Sequence, residues 1–250
     1  MKFTRKVPYT FVFALGFCAS VNADFVGLNI GTNHWMPDLT GSFKSNNDST
    51  IRLGNDLGYK DYSTTNLSVS FEHPVPALPN LKYQGFDLNT SSRRSNVTNP
   101  IIFDGTSYTG NINSTLDLSH QEIVLYYELL DNWINLDLGL DFKMFDGKVS
   151  ISDDVNPGSS IDVDETVPML YLAARFDLPL SGFYVGANIQ QLSIGDNSAE
   201  DSTVMIGYES KIGLGIEGGF KTFTLDLEDV NTLNTNLEYD GLFLNGYFHF

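Results

Sequence analysis

The sequence predicts an all-β chain folded as a closed antiparallel transmembrane β-barrel of about ten strands, with short periplasmic turns and longer extracellular loops. Three observations carry this expectation. Leu242, Leu244, Phe248 and Phe250 share one parity of the last nine residues, opposite Asn245, Tyr247 and His249, and the sequence ends on that phenylalanine. Alternating runs of strand length recur without any long helical pattern. The connections between those runs alternate between tight and long, as they do in a barrel whose two rims face different compartments.

At the N-terminus, Lys2, Arg5 and Lys6 precede a short apolar stretch, Phe11 to Phe17, and then Val21-Asn22-Ala23. This reads as a signal peptide over 1–23, cleaved between Ala23 and Asp24, followed by one barrel domain over 24–250. A membrane-spanning helix needs about 20 apolar residues, more than this stretch offers. Cys18 raises the alternative of a lipid-modified cysteine, which the bulky Phe17 before it disfavours. Without the leader no cysteine remains, so disulfides and thiol chemistry are excluded. The leader removes three of the 14 basic residues and none of the 31 acidic ones, leaving a balance of −20. Such a polyanion does not seek nucleic acid; divalent cations and cationic peptides are its electrostatic partners, and soluble acidic loops are the simpler reading.

Ten strands are expected near 25–36, 62–73, 80–90, 115–129, 133–145, 166–177, 183–194, 202–210, 212–227 and 237–250. The clearest is Ile134–Met144, where six apolar side chains alternate with Asn135, Asp137, Gly139, Asp141 and Lys143. Alternation suits a soluble sandwich as well as a membrane barrel. Its length favours the barrel, because a bilayer-crossing strand needs about 9–11 residues against about 5–6 for an ordinary one. An even strand number returns both termini to one side; eight strands would result if the 203–227 region paired differently. His73–Asn80, Leu130–Asn132, Leu178–Gly182 and the bend at Ser210-Lys211 are the tight turns. The connections after strands one, three and five are long and polar.

Two strands lose phase. Leu116 and Leu118 stand on the parity opposite to Ile123, Leu125, Tyr127 and Leu129, and Leu214 and Ile216 on that opposite to Phe223, Leu225 and Leu227. A bulge would restore lipid-facing order, with Gly218-Gly219 easing the bend in the second strand. The alternative is that the far half of each strand projects beyond the membrane. A mixture of the two is expected.

Glu72–Asn80, Tyr126–Trp133, Gly218-Gly219-Phe220-Lys221, Asp56-Leu57-Gly58 and the final strand together resemble a family of small Gram-negative outer-membrane β-barrel proteins of unassigned function, marked by a Gly-Gly pair near the C-terminus and a terminal Phe. The resemblance implies outer-membrane residence, contact with membrane lipid and lipopolysaccharide, and delivery by periplasmic chaperones to the barrel-assembly machinery. It makes Leu242, Leu244, Phe248 and Phe250 the assembly signal and transfers no catalytic residue. One departure is that Asn245 fills the usual glycine position of that signal, with Gly246 one place late.

A ten-stranded barrel encloses a narrow interior, since about eight strands are already filled by side chains. Asn135, Asp137, Asp141, Lys143, Tyr171, Arg175, Asn188 and Glu217 are expected to point inward. Asp137, Asp141, Lys143, Arg175 and Glu217 then form a lumen charge network, read as a salt-bridged plug because buried charges need partners. A structural role leads, with minor transport through a narrow polar lumen beside it. An enzyme is not expected. His73 and His249 lie at the periplasmic end, and His34 stands beside Trp35 in an interfacial aromatic position. Ser119 and His120 are adjacent on a strand, so they cannot pair as nucleophile and base. A lipid A-modifying or proteolytic barrel is the competing class. The third class is surface interaction. The acidic loop from Asp146 to Glu165 lacks the spacing of an EF-hand and reads as a solvated loop, with divalent-cation bridging to lipopolysaccharide phosphates as its weaker alternative. Arg93 and Arg94 are candidate direct contacts for those phosphates. No cofactor is expected, and the chain is read as a monomer.

Overall fold

The computed structural model describes residues 26–46, 48–75 and 77–250. The expected signal peptide and its Ala23–Asp24 junction lie outside the described residues. Among the described residues fifteen strands follow one another: β1 (Gly27–Ser45), β2 (Ile51–Arg52), β3 (Thr64–Glu72), β4 (Asn80–Phe86), β5 (Asn89–Phe103), β6 (Thr106–Asp117), β7 (His120–Asp131) and β8 (Ile134–Phe145) come first. They continue as β9 (Gly147–Ser152), β10 (Ser159–Val163), β11 (Thr166–Asp177), β12 (Phe183–Ile194), β13 (Asn197–Glu209), β14 (Leu214–Val230) and β15 (Leu233–His249).

Ten of them close a ring in the order β1-β3-β4-β7-β8-β11-β12-β13-β14-β15, every neighbouring pair antiparallel. The seam joins β15 to β1 in unbroken register from Asn29↔His249 to Ser45↔Leu233. Closure leaves the ring without a free edge, so its backbone groups are satisfied without water. One rim carries Val26, Phe250, the described residues of the β3–β4 connection (73–75 and 77–79) and the tight turns 132–133, 178–182 and 210–213; we name it the turn rim. The opposite loop rim carries β2, a π-helical turn over Leu53–Leu57, and a second sheet of order β10-β9-β6-β5.

The connections expected to be long and polar after strands three and five are long, and they carry strands of their own that build the second sheet. β5 and β6 form a hairpin whose tip, Asp104-Gly105, takes positive φ at both residues (50° and 69°), as a two-residue turn of the Asp-Gly type requires. β6 pairs with β9 and β9 with β10, so the insertions from two connections build one ordered layer above the barrel. At the first connection, Ser45 Oγ donates to Asp48 Oδ2 (2.7 Å) and accepts from Asp104 N (2.6 Å). Gly105 N also donates to Asp48 (3.1 Å), so Asp48 ties the end of β1 to the β5–β6 tip.

The two phase changes have different causes. Leu116 lies on β6 of the second sheet and Ile123 on β7 of the ring, so the strand expected over 115–129 breaks at 118–119, whereas β14 changes phase along one continuous strand. On β14 the outward column runs Leu214, Ile216, Gly218, Phe220 and then Thr222, Thr224, Asp226; the inward column turns from Glu217 and Lys221 to Phe223 and Leu225. β15 does the same, with Leu242 and Leu244 outward near the turn rim and Leu237 and Tyr239 inward near the loop rim. A strand crosses a bilayer in about 9–11 residues. β1 has 19, and β14 and β15 have 17 each. Their turn-rim halves carry apolar side chains outward over a height that matches a bilayer, and their loop-rim halves carry polar side chains outward and bury the apolar ones inside. Register is regular through Gly218↔Leu244 and Gly219↔Phe243, so no bulge sits at the glycine pair. The register shifts of these strands lie instead between Glu128 and Leu130 and between Leu227 and Val230.

The inward apolar residues of the loop-rim half form one core. Trp35, Phe43, Phe103, Tyr108, Leu116, Leu118, Phe145, Phe223 and Tyr239 are among its buried members, continuous with Leu53 and Leu57 of the π-helical turn and with Val149 and Ile161 of the second sheet.

Candidate functional site

The lumen is stratified along the barrel axis. Next to the apolar core lies an aromatic tier. His120 stacks on Phe86 (ring centroids 5.1 Å) and packs against Phe145 (4.8 Å) and Phe223 (5.8 Å). Its Nδ1 bonds Leu118 O (2.9 Å) and its Nε2 meets Glu122 Oε1 (3.2 Å). Adjacent Ser119 turns its hydroxyl elsewhere, accepting from Leu88 N at 3.1 Å, so the two do not form a nucleophile–base pair. His34 faces outward and bonds Thr65 Oγ1 (3.0 Å).

Beneath the aromatic tier is an ionic layer. Lys143, fully buried on β8, donates to Glu122 of β7 and to Asp201 of β13 (3.0 Å), and lies 3.4 Å from Asp141. Lys221 of β14 donates to the other oxygen of Asp201, and its ammonium stands 4.9 Å from the Phe86 ring centroid. These side chains meet because inward positions on neighbouring strands fall at one level: Lys143↔Glu122, Gln190↔Asp201 and Thr203↔Lys221 are register partners. Two ammonium groups among Glu122, Asp141 and Asp201 leave one carboxylate in excess, and neither oxygen of Asp141 has a hydrogen-bond partner.

Below that layer opens a polar cavity of about 610 Å³, reaching from Phe86, Gln190 and Phe243 down to His73, Asp131 and His249 at the turn rim. Its mouth is organised by Arg175. The guanidinium donates to Asp177 (2.9 Å from Nε), approaches Glu209 (3.6 Å) and stacks 3.7 Å from the Tyr184 ring centroid. Tyr184 Oη donates to Glu217 (2.6 Å), and Tyr247 Oη donates to Glu209 (2.9 Å). Both rings lie flat over glycines, Tyr184 on Gly207 and Tyr247 on Gly215, where any Cβ would run into the ring. On the facing wall Tyr126 Oη donates to Glu72 (2.7 Å).

The five residues expected to form one lumen charge network are therefore distributed. Asp141 and Lys143 belong to the ionic layer, Arg175 and Glu217 to the mouth, and Asp137 to the cavity wall. Glu122, Asp201 and Lys221 complete the first group, and Asp177, Glu209 and Tyr184 the second; sequence parity alone did not select them. Arg93 and Arg94 are exposed neighbours on β5, an edge of the second sheet. Successive strand residues face opposite sides, so the two cannot close on one phosphate. Leu242, Leu244 and Phe250, expected to form the assembly signal, are exposed on the outer face, and Phe248 packs edge-on to Phe250 at 4.4 Å.

No protein-family model and no curated protein sequence matches this chain. Among solved structures, the outer-membrane protease OmpT of Escherichia coli aligns at 12% identity and TM-score 0.44, over 89% of this chain and 97% of that one. The translocator domain of the autotransporter NalP from Neisseria meningitidis aligns at 12% identity and TM-score 0.42, over 92% and 90%. A FadL homologue of Pseudomonas aeruginosa aligns at 8% identity and TM-score 0.41, over 91% and 90%.

Proposed function

We propose that this chain is a resident of the Gram-negative outer membrane whose lumen is shut, acting as a structural and surface-presenting barrel. The observation that carries the reading is the stratified closure. From the Lys143–Asp201 layer to the loop rim, the interior is filled by buried side chains. An ion entering from the turn rim would have to displace a paired ionic layer and then a hydrophobic core, and both steps are costly. The outward apolar band supports membrane residence, and the tight turns with both described chain ends support a periplasmic turn rim. The second sheet then stands at the cell surface, where Arg93 and Arg94 each have access to a separate lipopolysaccharide phosphate. The resemblance of its motifs to the Gly-Gly family of outer-membrane barrels supports reading the chain as a monomer without a cofactor, whose Leu242, Leu244, Phe248 and Phe250 serve as the signal for the assembly machinery.

The test is planar-bilayer recording of the purified barrel. The expected result is no unitary steps at physiological ionic strength; steady, reproducible conductance steps would overturn the reading and restore the conduit.

A further inference from the structure

The cavity below the ionic layer has a charge and hydrogen-bond pattern of its own. Arg175 and Lys221 line it, but each is already paired with carboxylates. Among the described residues none of Glu72, Glu128, Asp137 and Glu217, which line the same cavity, makes an ion pair. Lys82 is the one other lysine or arginine on that wall.

An independent observation points the same way. Three buried side-chain oxygens that line the cavity have no hydrogen-bond partner: Gln190 Oε1, Asn245 Oδ1 and Asn33 Oδ1. Gln190 is 3% exposed and Asn245 9%, so neither is a surface group. The orientation of Asn245 is set by its own amide, whose Nδ2 donates to Glu217 at 2.8 Å and leaves the oxygen free. Asn33 is its register partner across the β1–β15 seam. An unmade bond at a buried acceptor costs about 1–3 kcal/mol. Every unpaired buried side-chain atom that lines the cavity is an acceptor, so what is missing is a donor.

We propose that this cavity binds a small linear organic polyamine, a chain bearing two or more protonated amines. Such a molecule supplies N–H donors to the amide oxygens and positive charge to the unpaired carboxylates at once. The carboxylates are spread along the cavity, and no group of three metal-ligating side chains converges among the described residues, which favours an extended cation over a metal ion. The volume, about 610 Å³, falls within the usual range for small-molecule sites.

Isothermal titration of the full-length barrel in detergent with spermidine tests this. Saturable one-site binding is expected, and Gln190→Leu or Asp137→Asn should each weaken it by about tenfold or more, as loss of one charge-assisted hydrogen bond predicts. Asp162→Asn, in the second sheet, should leave it unchanged. Folding of each variant is checked by heat-modifiable gel mobility. If a variant fails to fold, wild-type selectivity decides: spermidine should bind while an uncharged diol of matching length does not. No saturable binding, wild-type affinity in both cavity variants, or displacement by magnesium at equal charge concentration would each overturn the proposal.

Discussion

Lys143 Nζ and Asp201 Oδ2 lie 3.0 Å apart, both excluded from solvent, and join β8 to β13 across two intervening strands. The bond therefore crosses the lumen, and it does so with Glu122 and Asp141 on the same ammonium. Lys143→Met would leave three buried carboxylates sharing Lys221 alone, a loss of about 3–5 kcal/mol. Thermal unfolding in detergent, followed by gel mobility, should register it. Apolar replacement of Glu122 and Asp141 in the same chain should recover most of the loss, since breaking a buried pair costs far more than removing it whole.

The inversion of the outward face on β14 makes a paired prediction. Phe220→Arg puts a charge in the lipid band and should destabilise by about 2–4 kcal/mol, whereas Thr224→Arg, two positions further out on the same face, should cost about 0–1 kcal/mol. Reversible folding into lipid vesicles measures both; equal penalties would contradict the position of the band.

Phe223 contacts His120, Phe145 and Tyr239 at the base of the apolar core. Phe223→Ala should cost about 3–5 kcal/mol through the cavity it leaves. The barrel should lose heat resistance in proportion, and a loss well below that range would mean that the tier is loosely packed.

Asp153 caps the β9–β10 turn. Backbone N–H groups of Asn156 (2.6 Å), Thr109 (3.0 Å) and Val155 (2.9 Å) donate to its carboxylate and hold its pKa down to about 2. A folded value below the ordinary one stabilises the charged, folded form at all pH values above about 4, and that contribution fades as pH falls toward 2. A carboxyl NMR titration should place the Asp153 midpoint near 2. A midpoint at the ordinary carboxylate value would mean that these bonds do not persist in solution.

Much of the barrel was legible because period-two alternation and turn chemistry are local properties. The expected strand over 166–177 coincides with β11 and that over 183–194 with β12. The interior was less legible because the same alternation means different things in lipid and in water. Phe223 and Leu225 break the outward apolar column, and of the two explanations the sequence offers, a bulge at the glycines or a far half that projects beyond the membrane, β14 follows the second. The second sheet carries a local signal of its own: Asp104-Gly105 sits between Ile101-Ile102-Phe103 and Thr106-Ser107-Tyr108, a hairpin signature. Asp201 escaped because the expected strand began at 202, one residue past it, and Glu122 because its partner is chosen by cross-strand register, which no single strand reveals.

The β1–β15 seam has a consequence for the order of assembly. It is the longest pairing in the ring and joins residues 220 positions apart, Asn29 to His249. In an unstructured chain, bringing such ends together would cost about 5 kcal/mol in loop-closure entropy, so pairing of sequential strands precedes the seam and shortens that gap. Until the last strand arrives, nine paired strands present two open edges, each a template for the wrong neighbour. Closure is therefore the final event and an all-or-none one, and a chain that stalls before it is exposed along its full height on both sides.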